Sequence, residues 1–389
     1  MMHLFLDASA ASSGSGPTYV RNVVPHLMRR TDLRVTVLVS SQFRAEFQDS
    51  QNVSFQEFCD ESGSPGARFL RAQRLIPSLV RRSGAEVLVS AGNLALFRSP
   101  VPQILLSGNA LYTSERFFQD VIKRHHYALW LDTRLKAFLA KQSVRIAERT
   151  IAPSRSFAAD LERWTGVAAL TVYHGFDPGL FFRNGEKLPD ELQSKLVRRG
   201  DELRLVFVSH YNYYRNFETL FRALPLIKKA LPGRNVKLFL TCRLQPGANP
   251  GSYRPEAAAA LAQSLGIRPD LVELGAVAYY LVHHVYRACD LYVSPAYVET
   301  FAHPLVEAMA SGVPVVASDL PVHREICGDA AMYFSVFSPE ALAGQIKTLA
   351  ENPAIAEELS ARGVKRSTDF SWKYHVQRLV EVAAGLANK

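Results

Sequence analysis

The feature that most constrains the fold is an alternation of short apolar runs with longer helical patterns, which occurs twice along the chain. In the first series, apolar runs at 4–6, 35–39, 87–90 and 104–106 are separated by segments of helical periodicity. A second series of the same kind begins at residue 203. Repeated strand–helix–strand units predict parallel sheets that are covered by helices on both faces. The sequence therefore predicts an α/β protein with two Rossmann-like domains.

A segment rich in glycine, proline and charge separates the two series. We predict an N-terminal domain at 1–177, a linker at 178–202 and a C-terminal domain at 203–369. An amphipathic helical pattern follows at 370–389. Ligands of such folds bind at the carboxyl ends of the strands, so we expect the site in the cleft between the two domains.

The composition of the 389 residues, 48% hydrophobic and 21% charged, is typical of a soluble globular protein. The first apolar run is too short for a signal peptide, and no run approaches the roughly 18 apolar residues of a membrane span. We therefore expect a cytoplasmic protein. The four cysteines are widely scattered and show no metal-ligand spacing, so we expect reduced thiols. No D-x-D-like carboxylate cluster is evident, so we expect no metal, and we expect no cofactor.

Positive charge is concentrated in the first half of the chain. Residues 1–175 carry 21 basic and 14 acidic side chains, a net charge of +7 out of +9 for the whole chain. Much of the excess lies in two segments, 68–82 and 116–149, and the second also contains Phe117, Phe118 and Trp130. Such segments either form solvated helix faces or bind an anionic surface, a membrane or a nucleic acid. We expect peripheral contact with an anionic membrane at its inner face, and no nucleic acid.

The most informative stretch places two glutamates around the start of one predicted helix. Glu299 lies in the loop before the helix, and we expect Glu307 in its first turn. Pro304 suits the first helical turn, and Gly312 follows where a helix C-terminus favours glycine. The backbone N–H groups of the loop and the positive end of the helix dipole predict an anion site. The loop residues are Phe301, Ala302 and His303.

The Glu-x7-Glu pattern of Glu299 and Glu307, followed by the sequence EAMASGVPVVASD, resembles the signature of the family-4 retaining glycosyltransferases. The resemblance is specific over 203–335 and weaker in the N-terminal half. It implies a GT-B fold, in which two Rossmann-like domains face each other across a cleft, and a helix at 370–389 that crosses back to the first domain. It also implies that Glu307 binds the donor ribose, that Glu299 lies by the donor sugar and leaving phosphate, and that the loop amides hold the phosphate.

A second matching piece follows the first strand of the C-terminal series, from Ser209 onward. The family usually has an arginine and, five residues later, a lysine at the diphosphate. This chain has His210 and Arg215 in those positions. Arg215 keeps a permanent charge and can hold phosphate oxygens in bidentate fashion. In relatives the stretch that ends at Val277 lines the base pocket.

The N-terminal half carries a glycine loop after its first strand, which includes Gly14 and Gly16. Glycine lets backbone N–H groups approach a phosphate closely. Many family members have a histidine after the strand at 104–106, where this chain has Gly108 and Asn109. Asn109 can hydrogen-bond a sugar hydroxyl but cannot act as a general base, which suits a retaining mechanism.

We therefore expect a metal-independent, retaining hexosyltransferase that uses a UDP- or GDP-sugar. The acceptor is the hydroxyl of a glycan, a lipid-linked molecule or a small molecule. Two alternatives remain open from the sequence. A GT-B epimerase would share the fold and the nucleotide site, and a non-catalytic protein that binds sugar nucleotides or nucleic acid would explain the basic face.

Overall fold

The computed structural model describes residues 1–10, 15–58, 65–183 and 185–387. The chain divides into two compact units. The first unit comprises Met1–Thr113, Leu131–Gly175 and Ser371–Lys389, and the second comprises Ser114–Trp130 and Phe176–Phe370. Residues 114–130 therefore group with the second unit, although they belong to the first half of the sequence. The domain boundaries and the linker given above stay predictions.

The first unit is built on a seven-stranded parallel sheet with the strand order β3-β2-β1-β4-β5-β6-β7. The sheet confirms the strand–helix alternation of the first half. Its strands are β1 (Met2–Asp7), β2 (Leu33–Ser40), β3 (Val53–Phe58), β4 (Val87–Ser90), β5 (Gln103–Leu106), β6 (Arg149–Ala152) and β7 (Leu170–Thr171).

The second unit is built on a six-stranded parallel sheet with the order β10-β9-β8-β11-β12-β13. Each sheet reverses its strand order once, at β1/β4 in the first and at β8/β11 in the second. Its strands are β8 (Glu202–Phe207), β9 (Asn235–Leu240), β10 (Leu271–Glu273), β11 (Leu291–Ser294), β12 (Val315–Ser318) and β13 (Ala331–Phe334).

Helices connect the strands of both sheets, as parallel pairing requires. In chain order they are α1 (Ser15–Met28), α2 (Ser41–Arg44), α3 (Pro65–Ser83), α4 (Glu115–Lys123), α5 (Tyr127–Ile146), α6 (Arg155–Thr165), α7 (Pro178–Phe181), α8 (Asp190–Leu196), α9 (Phe217–Ala230), α10 (Glu256–Ser264), α11 (Val282–Arg287), α12 (His303–Ala310), α13 (Pro321–Cys327), α14 (Pro339–Glu351), α15 (Pro353–Ser367) and α16 (Trp372–Ala387).

The first sheet is covered on both faces. Alternate residues of its strands, such as Leu4 and Leu6, pack with α1 and α16. Phe5 and Leu88 point the other way and pack against Ile76 of α3. This alternation explains why the strands read as continuous apolar runs rather than as apolar and polar residues in turn.

The chain leaves the first unit after Gly175 and re-enters it at Ser371. The backbone of Trp372 runs so close to Gly175 that a Cβ atom on the glycine would lie 2.0 Å from the Trp372 N atom. Only glycine fits such an approach. The buried side of α16 then completes the core between α1 and the sheet.

In the second unit, β8 is buried along its whole length and begins with a buried ion pair. The Arg204 guanidinium donates to Glu202 Oε2 through Nε at 2.7 Å. It also donates to the carbonyl O atoms of Leu196 and Val197, each at 2.7 Å. These contacts satisfy a charge that would otherwise be costly to bury. They attach the segment before β8 to the sheet.

None of the helices in the described part of the chain combines the length and the apolar character that crossing a bilayer demands.

Candidate functional site

All strands of a sheet run in the same direction, so their carboxyl ends meet at one edge. The point where the strand order reverses opens a crevice at that edge. In the second unit this point lies between β8 and β11. Most of the predicted donor residues lie on the segments that leave these two strands. They are Ser209, His210 and Arg215 after β8, and Glu299, Phe301, Ala302, His303 and Glu307 after β11.

The loop after β8 is held against the end of β9. The Ser209 N–H donates to Thr241 Oγ1 at 2.9 Å, and the Ser209 hydroxyl donates to the His210 carbonyl O at 2.8 Å. His210 is exposed, but nearby protein atoms partly desolvate its ring. This desolvation, with a smaller contribution from the Arg215 charge, lowers the pKa of His210 below its ordinary value. His210 is therefore neutral at pH 7 and can take up a proton when a dianion binds.

A short 3₁₀ turn, Tyr213–Arg215, positions the predicted diphosphate-binding arginine. Asn212 Oδ1 accepts a hydrogen bond from the backbone N–H of this arginine at 3.2 Å. Asn216 follows with φ = 55°, a conformation that asparagine adopts more readily than most residues. Its Nδ2 donates to the carbonyl O atoms of Pro295 and Val336, each at 3.0 Å. The turn is thereby tied to the segments that follow β11 and β13.

Arg215 and Glu299 form an ion pair between Arg215 Nη1 and Glu299 Oε1. Their side chains are only 18% and 9% exposed, so water screens the pair weakly. Arg215 Nε is buried and has no hydrogen-bond partner within the part of the chain that the structure describes. The structure thus brings together two predicted site residues and leaves one guanidinium donor for another acceptor.

The helix after β11 starts from an unusual backbone conformation. Ala302 lies in the left-handed region, with φ = 63° and ψ = 61°, and α12 begins at the next residue. Phe301 and Ala302 are buried, and Pro304 lies in the first helical turn as predicted. Glu307 is the fifth residue of α12, so it lies in the second turn and the expectation of the first turn is wrong.

Glu307 is a buried carboxyl group that accepts a hydrogen bond from a tyrosine. The Tyr286 hydroxyl of α11 donates to Glu307 Oε2 at 3.1 Å and also lies 3.1 Å from the Pro304 carbonyl O. Burial raises the pKa of Glu307 to about 7, and the hydrogen bond from Tyr286 opposes this rise. The carboxyl is therefore poised between its two protonation states near neutral pH.

Val277 lies in the loop after β10 and is half-buried. The loop begins at Gly275, which has φ = 76° and whose Cα lies beneath the Arg243 side chain, since an added Cβ would lie 3.1 Å from Arg243 Nε. The structure places Val277 at the carboxyl edge of the sheet. Its role at a nucleotide base stays a prediction.

The sequence interpretation missed two residues of this region, Tyr286 and His323. Tyr286 lies on α11, where a tyrosine within an apolar helical pattern reads as an ordinary core residue. His323 is fully buried, and its Nδ1 lies 2.9 Å from the Ser318 carbonyl O. Desolvation lowers the pKa of His323 to about 4, with a contribution from the Arg215 charge, and its Nε2 has no partner among the described residues. A buried acceptor nitrogen beside β12 leaves no signal in a single sequence.

The first unit has its own cavity, of about 130 Å³, beside the reversal point at β1/β4. Two predicted residues line it, Gly16 at the start of α1 and Gly108 after β5. The Gly108 N–H donates to Asn93 Oδ1 at 2.6 Å, which orients a side chain of the cavity wall. Other lining residues are Tyr19, Asn93, Ser107, His174 and His375.

His375 is a buried, neutral histidine of this cavity. Its Nδ1 donates to the Tyr173 carbonyl O at 2.8 Å, so its Nε2 accepts from the Tyr19 hydroxyl at 3.0 Å. Burial lowers the pKa of His375 to about 4. The pair therefore gives the cavity a fixed polar wall without a charge.

Two predicted residues of the first half remain, and Asn109 is not among the described residues that line this cavity. Gly14 lies outside the described residues. Asn109 caps the short 3₁₀ helix Ala110–Tyr112, and its Oδ1 accepts from the Leu111 N–H at 3.1 Å. The contact occupies its oxygen, so its role toward a sugar hydroxyl stays a prediction.

The structure corrects the interpretation of the second basic segment. Phe117 and Phe118 are 0% and 1% exposed, so these two rings do not contribute to the membrane contact expected of this segment. α4 is amphipathic, and its apolar face packs inward. Arg124 binds Asp120 at 2.9 Å and Glu218 at 2.8 Å within the second unit. Its charge is therefore already paired.

Among the described residues, no cluster of three or more histidine, cysteine or carboxylate side chains has an arrangement that could hold a metal ion. Cys242, Cys289 and Cys327 are buried and free. Burial raises the pKa of the Cys242 and Cys327 thiols to about 12, so both are protonated and unreactive at pH 7.

Comparison with known proteins agrees with this arrangement. Residues 190–366 match the family described as glycosyl transferases group 1. The chain is 27% identical over 205 residues to a D-inositol 3-phosphate glycosyltransferase of Rhodococcus erythropolis, an alignment that covers 51% of this chain and 45% of the relative. The chain spans about half the length of the curated relatives that it matches.

Solved structures resemble the chain over nearly its whole length. Sucrose-phosphate synthase from Thermosynechococcus elongatus has a TM-score of 0.76 at 15% identity, with 99% of each chain covered. HepE from Anabaena, in complex with UDP-glucose, has a TM-score of 0.73 at 17% identity, with 99% of this chain and 100% of HepE covered. These likenesses confirm the predicted GT-B class, with its two Rossmann-like domains.

The family match lies within the second unit and includes each of the predicted donor residues from Ser209 to Glu307. Residues 190–366 are therefore a domain of the glycosyl transferases group 1 family.

Proposed function

We propose that the protein is a family-4 retaining glycosyltransferase that moves a sugar from a nucleoside diphosphate sugar to a hydroxyl group without a metal ion. The observation that carries the proposal is the Arg215–Glu299 ion pair at the β8/β11 reversal point, with the buried Glu307 on the helix that follows Glu299. The pair offers a cation and a carboxylate where a ligand of an α/β fold binds.

The donor would use each of these groups. Arg215 takes the diphosphate, and His210 gains a proton beside it. The start of α12 adds its positive dipole end. Glu299 accepts from hydroxyls of the donor sugar once Arg215 turns to the phosphate. Glu307 accepts from ribose hydroxyls, since its second oxygen is not engaged by Tyr286.

The reaction would break the bond between the sugar C1 and the phosphate oxygen, and form a C1–O bond to the acceptor on the same face. The leaving diphosphate oxygen takes the proton of the acceptor hydroxyl, so no protein base is needed. Arg215 and His210 would stabilise the negative charge that develops on the leaving group, which is the largest catalytic effect in many sites of this kind. These cations take the place of a metal ion.

The substrates are proposed from two likenesses. HepE binds UDP-glucose, which favours a UDP-sugar as the first donor to test, with a GDP-sugar next. Several curated relatives are named D-inositol 3-phosphate glycosyltransferase, which favours a phosphorylated polyol as the first small acceptor. Glycans and lipid-linked molecules are the further acceptors to test. The cavity beside β1/β4 is the proposed acceptor side.

The decisive experiment measures release of the nucleoside diphosphate with and without acceptor, in the presence of EDTA. We expect acceptor-dependent release that EDTA does not abolish, and a product of retained anomeric configuration by NMR. Arg215→Ala should lower turnover more than it lowers affinity for the nucleoside, with exposed Arg29→Ala as the matched control.

Other outcomes would contradict the proposal. Conversion of the sugar nucleotide without acceptor would indicate an epimerase, and tight binding without turnover would indicate a non-catalytic protein. Loss of activity in EDTA that Mg²⁺ or Mn²⁺ restores would contradict the metal-free mechanism.

A further inference from the structure

The part of α5 that belongs to the first unit exposes large apolar side chains along one face. Leu131, Leu135 and Phe138 are 65%, 60% and 59% exposed. Their spacing of four and three residues places them one above the other on the helix. The opposite face carries Ala137 and Ala140, which are buried. The apolar side of this helix therefore faces solvent, and its small residues face the protein.

Helix α3 presents a second unusual surface in the same unit. It contains five arginines and no acidic residue. Arg68, Arg74 and Arg81 are exposed, and so are the side chains of Leu70 and Leu75. An exposed helix face that carries arginines and leucines but no carboxylate is typical of a segment that lies on an anionic interface.

The two helices lie on the same face of the first sheet. Residues of α3 pack against Phe5 and Leu88, opposite the face that α1 and α16 cover. The crossovers from β3 to β4 and from β5 to β6 run in the same direction across the sheet, so right-handed connections place their helices on one side. The Lys141 Nζ of α5 lies 5.6 Å from the Trp164 ring centroid of α6, the next helix on that side.

We propose that this face of the first unit binds the surface of an anionic lipid bilayer. The leucines and phenylalanine of α5 enter the boundary between headgroups and acyl chains. The arginines of α3 lie at the level of the lipid phosphates. Attachment of this kind is reversible and needs no spanning helix.

The charge and the apolar character of this surface distinguish between three possible partners: a second copy of the chain, a nucleic acid and an anionic bilayer. A second copy of this chain would bring the same arginines together across a two-fold axis, and like charges would oppose the contact. A nucleic acid would pair with the arginines, but the leucines of α5 offer it neither a hydrogen bond nor a stacking platform. An anionic bilayer offers phosphates to the arginines of α3 and an apolar boundary to the leucines and phenylalanine of α5.

The test is co-sedimentation of the full chain with two kinds of vesicle. One kind is pure phosphatidylcholine, and the other contains about 30% phosphatidylglycerol, which gives the surface the negative potential that attracts polybasic segments. We expect binding to the anionic vesicles only. The triple variant Leu131→Gln, Leu135→Gln, Phe138→Gln should weaken partitioning by about a hundredfold. The double variant Arg68→Gln, Arg74→Gln should weaken it by about thirtyfold.

Matched controls separate this surface from general charge and hydrophobicity. Arg29→Gln with Arg34→Gln removes the same charge from exposed positions of the same unit. Ile355→Gln with Val364→Gln removes exposed apolar side chains from α15 of the second unit. Both controls should bind vesicles like the wild type. All variants should keep their affinity for the nucleoside diphosphate, so a failure here is distinct from failure of the proposed enzyme activity.

A second measurement tests insertion directly. A tryptophan introduced as Leu135→Trp should be quenched by brominated lipids in anionic vesicles, and Val364→Trp should not. The proposal is overturned if the Arg68/Arg74 variant binds anionic vesicles as well as the Arg29/Arg34 control does. It is also overturned if Leu135→Trp is not quenched, or if the wild type does not bind anionic vesicles. It is also overturned if the arginine variants lose only nucleic-acid binding, or if the α5 variants only dissociate a dimer in sedimentation velocity.

Discussion

At the scale of single residues, Glu307 makes the clearest prediction about pH. Its pKa in the folded protein is about 7, against 4.5 for an ordinary glutamate. Between these values the folded protein holds a proton that the unfolded chain has released, so the free energy of unfolding falls as pH rises. The contribution is on the order of 3 kcal/mol across this range.

We expect Glu307→Gln to remove this loss of stability, because the amide does not titrate. The measurement is urea denaturation of both proteins at pH 5, 6, 7 and 8. The advantage of the variant should grow from pH 5 to 7 and stay constant above that. Glu357→Gln, at an exposed position of α15, is the control. If the free energies of unfolding of the wild type and Glu307→Gln depend on pH in the same way, Glu307 is not a buried, protonated carboxyl group.

The Arg215–Glu299 pair predicts opposite effects on binding and turnover. In the free protein, Glu299 competes with any incoming diphosphate for the same guanidinium. Glu299→Gln should therefore raise the affinity for the nucleoside diphosphate by about tenfold, because Arg215 gains a charged partner only on binding. Turnover should fall, because the amide is a weaker acceptor for sugar hydroxyls.

Calorimetry with UDP or GDP and a steady-state assay check the two effects. A variant that loses affinity and activity together would show instead that Glu299 positions Arg215. Arg215→Lys then serves as the second test, since it keeps the charge without the bidentate geometry.

At the scale of elements, Asn216 connects three loops at the carboxyl edge of the second sheet. Asn216→Ala would leave the carbonyl O atoms of Pro295 and Val336 without their donor and would keep the left-handed backbone. We expect a loss of about 3 kcal/mol in the free energy of unfolding. Asn216→Gly loses the same hydrogen bonds but relieves the backbone, so it should be less destabilising by about 1 kcal/mol.

Chemical denaturation of the two variants decides this. Equal losses for alanine and glycine would show that backbone strain contributes nothing. No loss in either would show that water replaces the side chain at both carbonyl groups.

The elements also show what could be predicted from the sequence. The run at 203–209 predicts a strand, and β8 spans Glu202–Phe207, because Leu203, Leu205 and the residues after them supply the apolar side chains of a strand that is buried on both faces. The segment 178–202, which reads as an irregular linker, contains α7 and α8. Short helices have too few turns to show a periodic pattern.

The apolar face of α5 could not be assigned from the sequence for a related reason. α4 and α5 both carry apolar and basic residues, and each pattern fits a helix with one covered face. Only packing decides which face is covered. Phe117 and Phe118 are buried, whereas Leu135 and Phe138 stay in solvent.

At the scale of the whole molecule, the chain builds its first unit from segments that are far apart in sequence. α16 supplies Val376, Leu379, Val380 and Ala383 to the core that α1 shares. A variant that ends at Phe370 would lose these side chains and expose the first sheet on one face. We expect trypsin to digest its first unit while the second unit, residues 114–130 together with 176–370, survives.

Limited proteolysis followed by mass spectrometry measures this, and the wild type should resist digestion in both units. The surviving fragment should still bind the nucleoside diphosphate, because the donor residues lie within it. Digestion of both units at the same rate would mean that they unfold as one cooperative body.

The left-handed backbone at Ala302 also restricts which substitutions this position tolerates during evolution. Changing one base of an alanine codon yields glycine, valine, threonine, serine, proline or an acidic residue. At φ = 63° glycine alone among these is free of steric penalty, and valine and threonine are the worst placed. Proline is excluded outright, because its ring fixes φ near −65°. Mutation at this codon is therefore expected to move back and forth between alanine and glycine, and among the single-base changes in a deep mutational scan glycine should be the best tolerated.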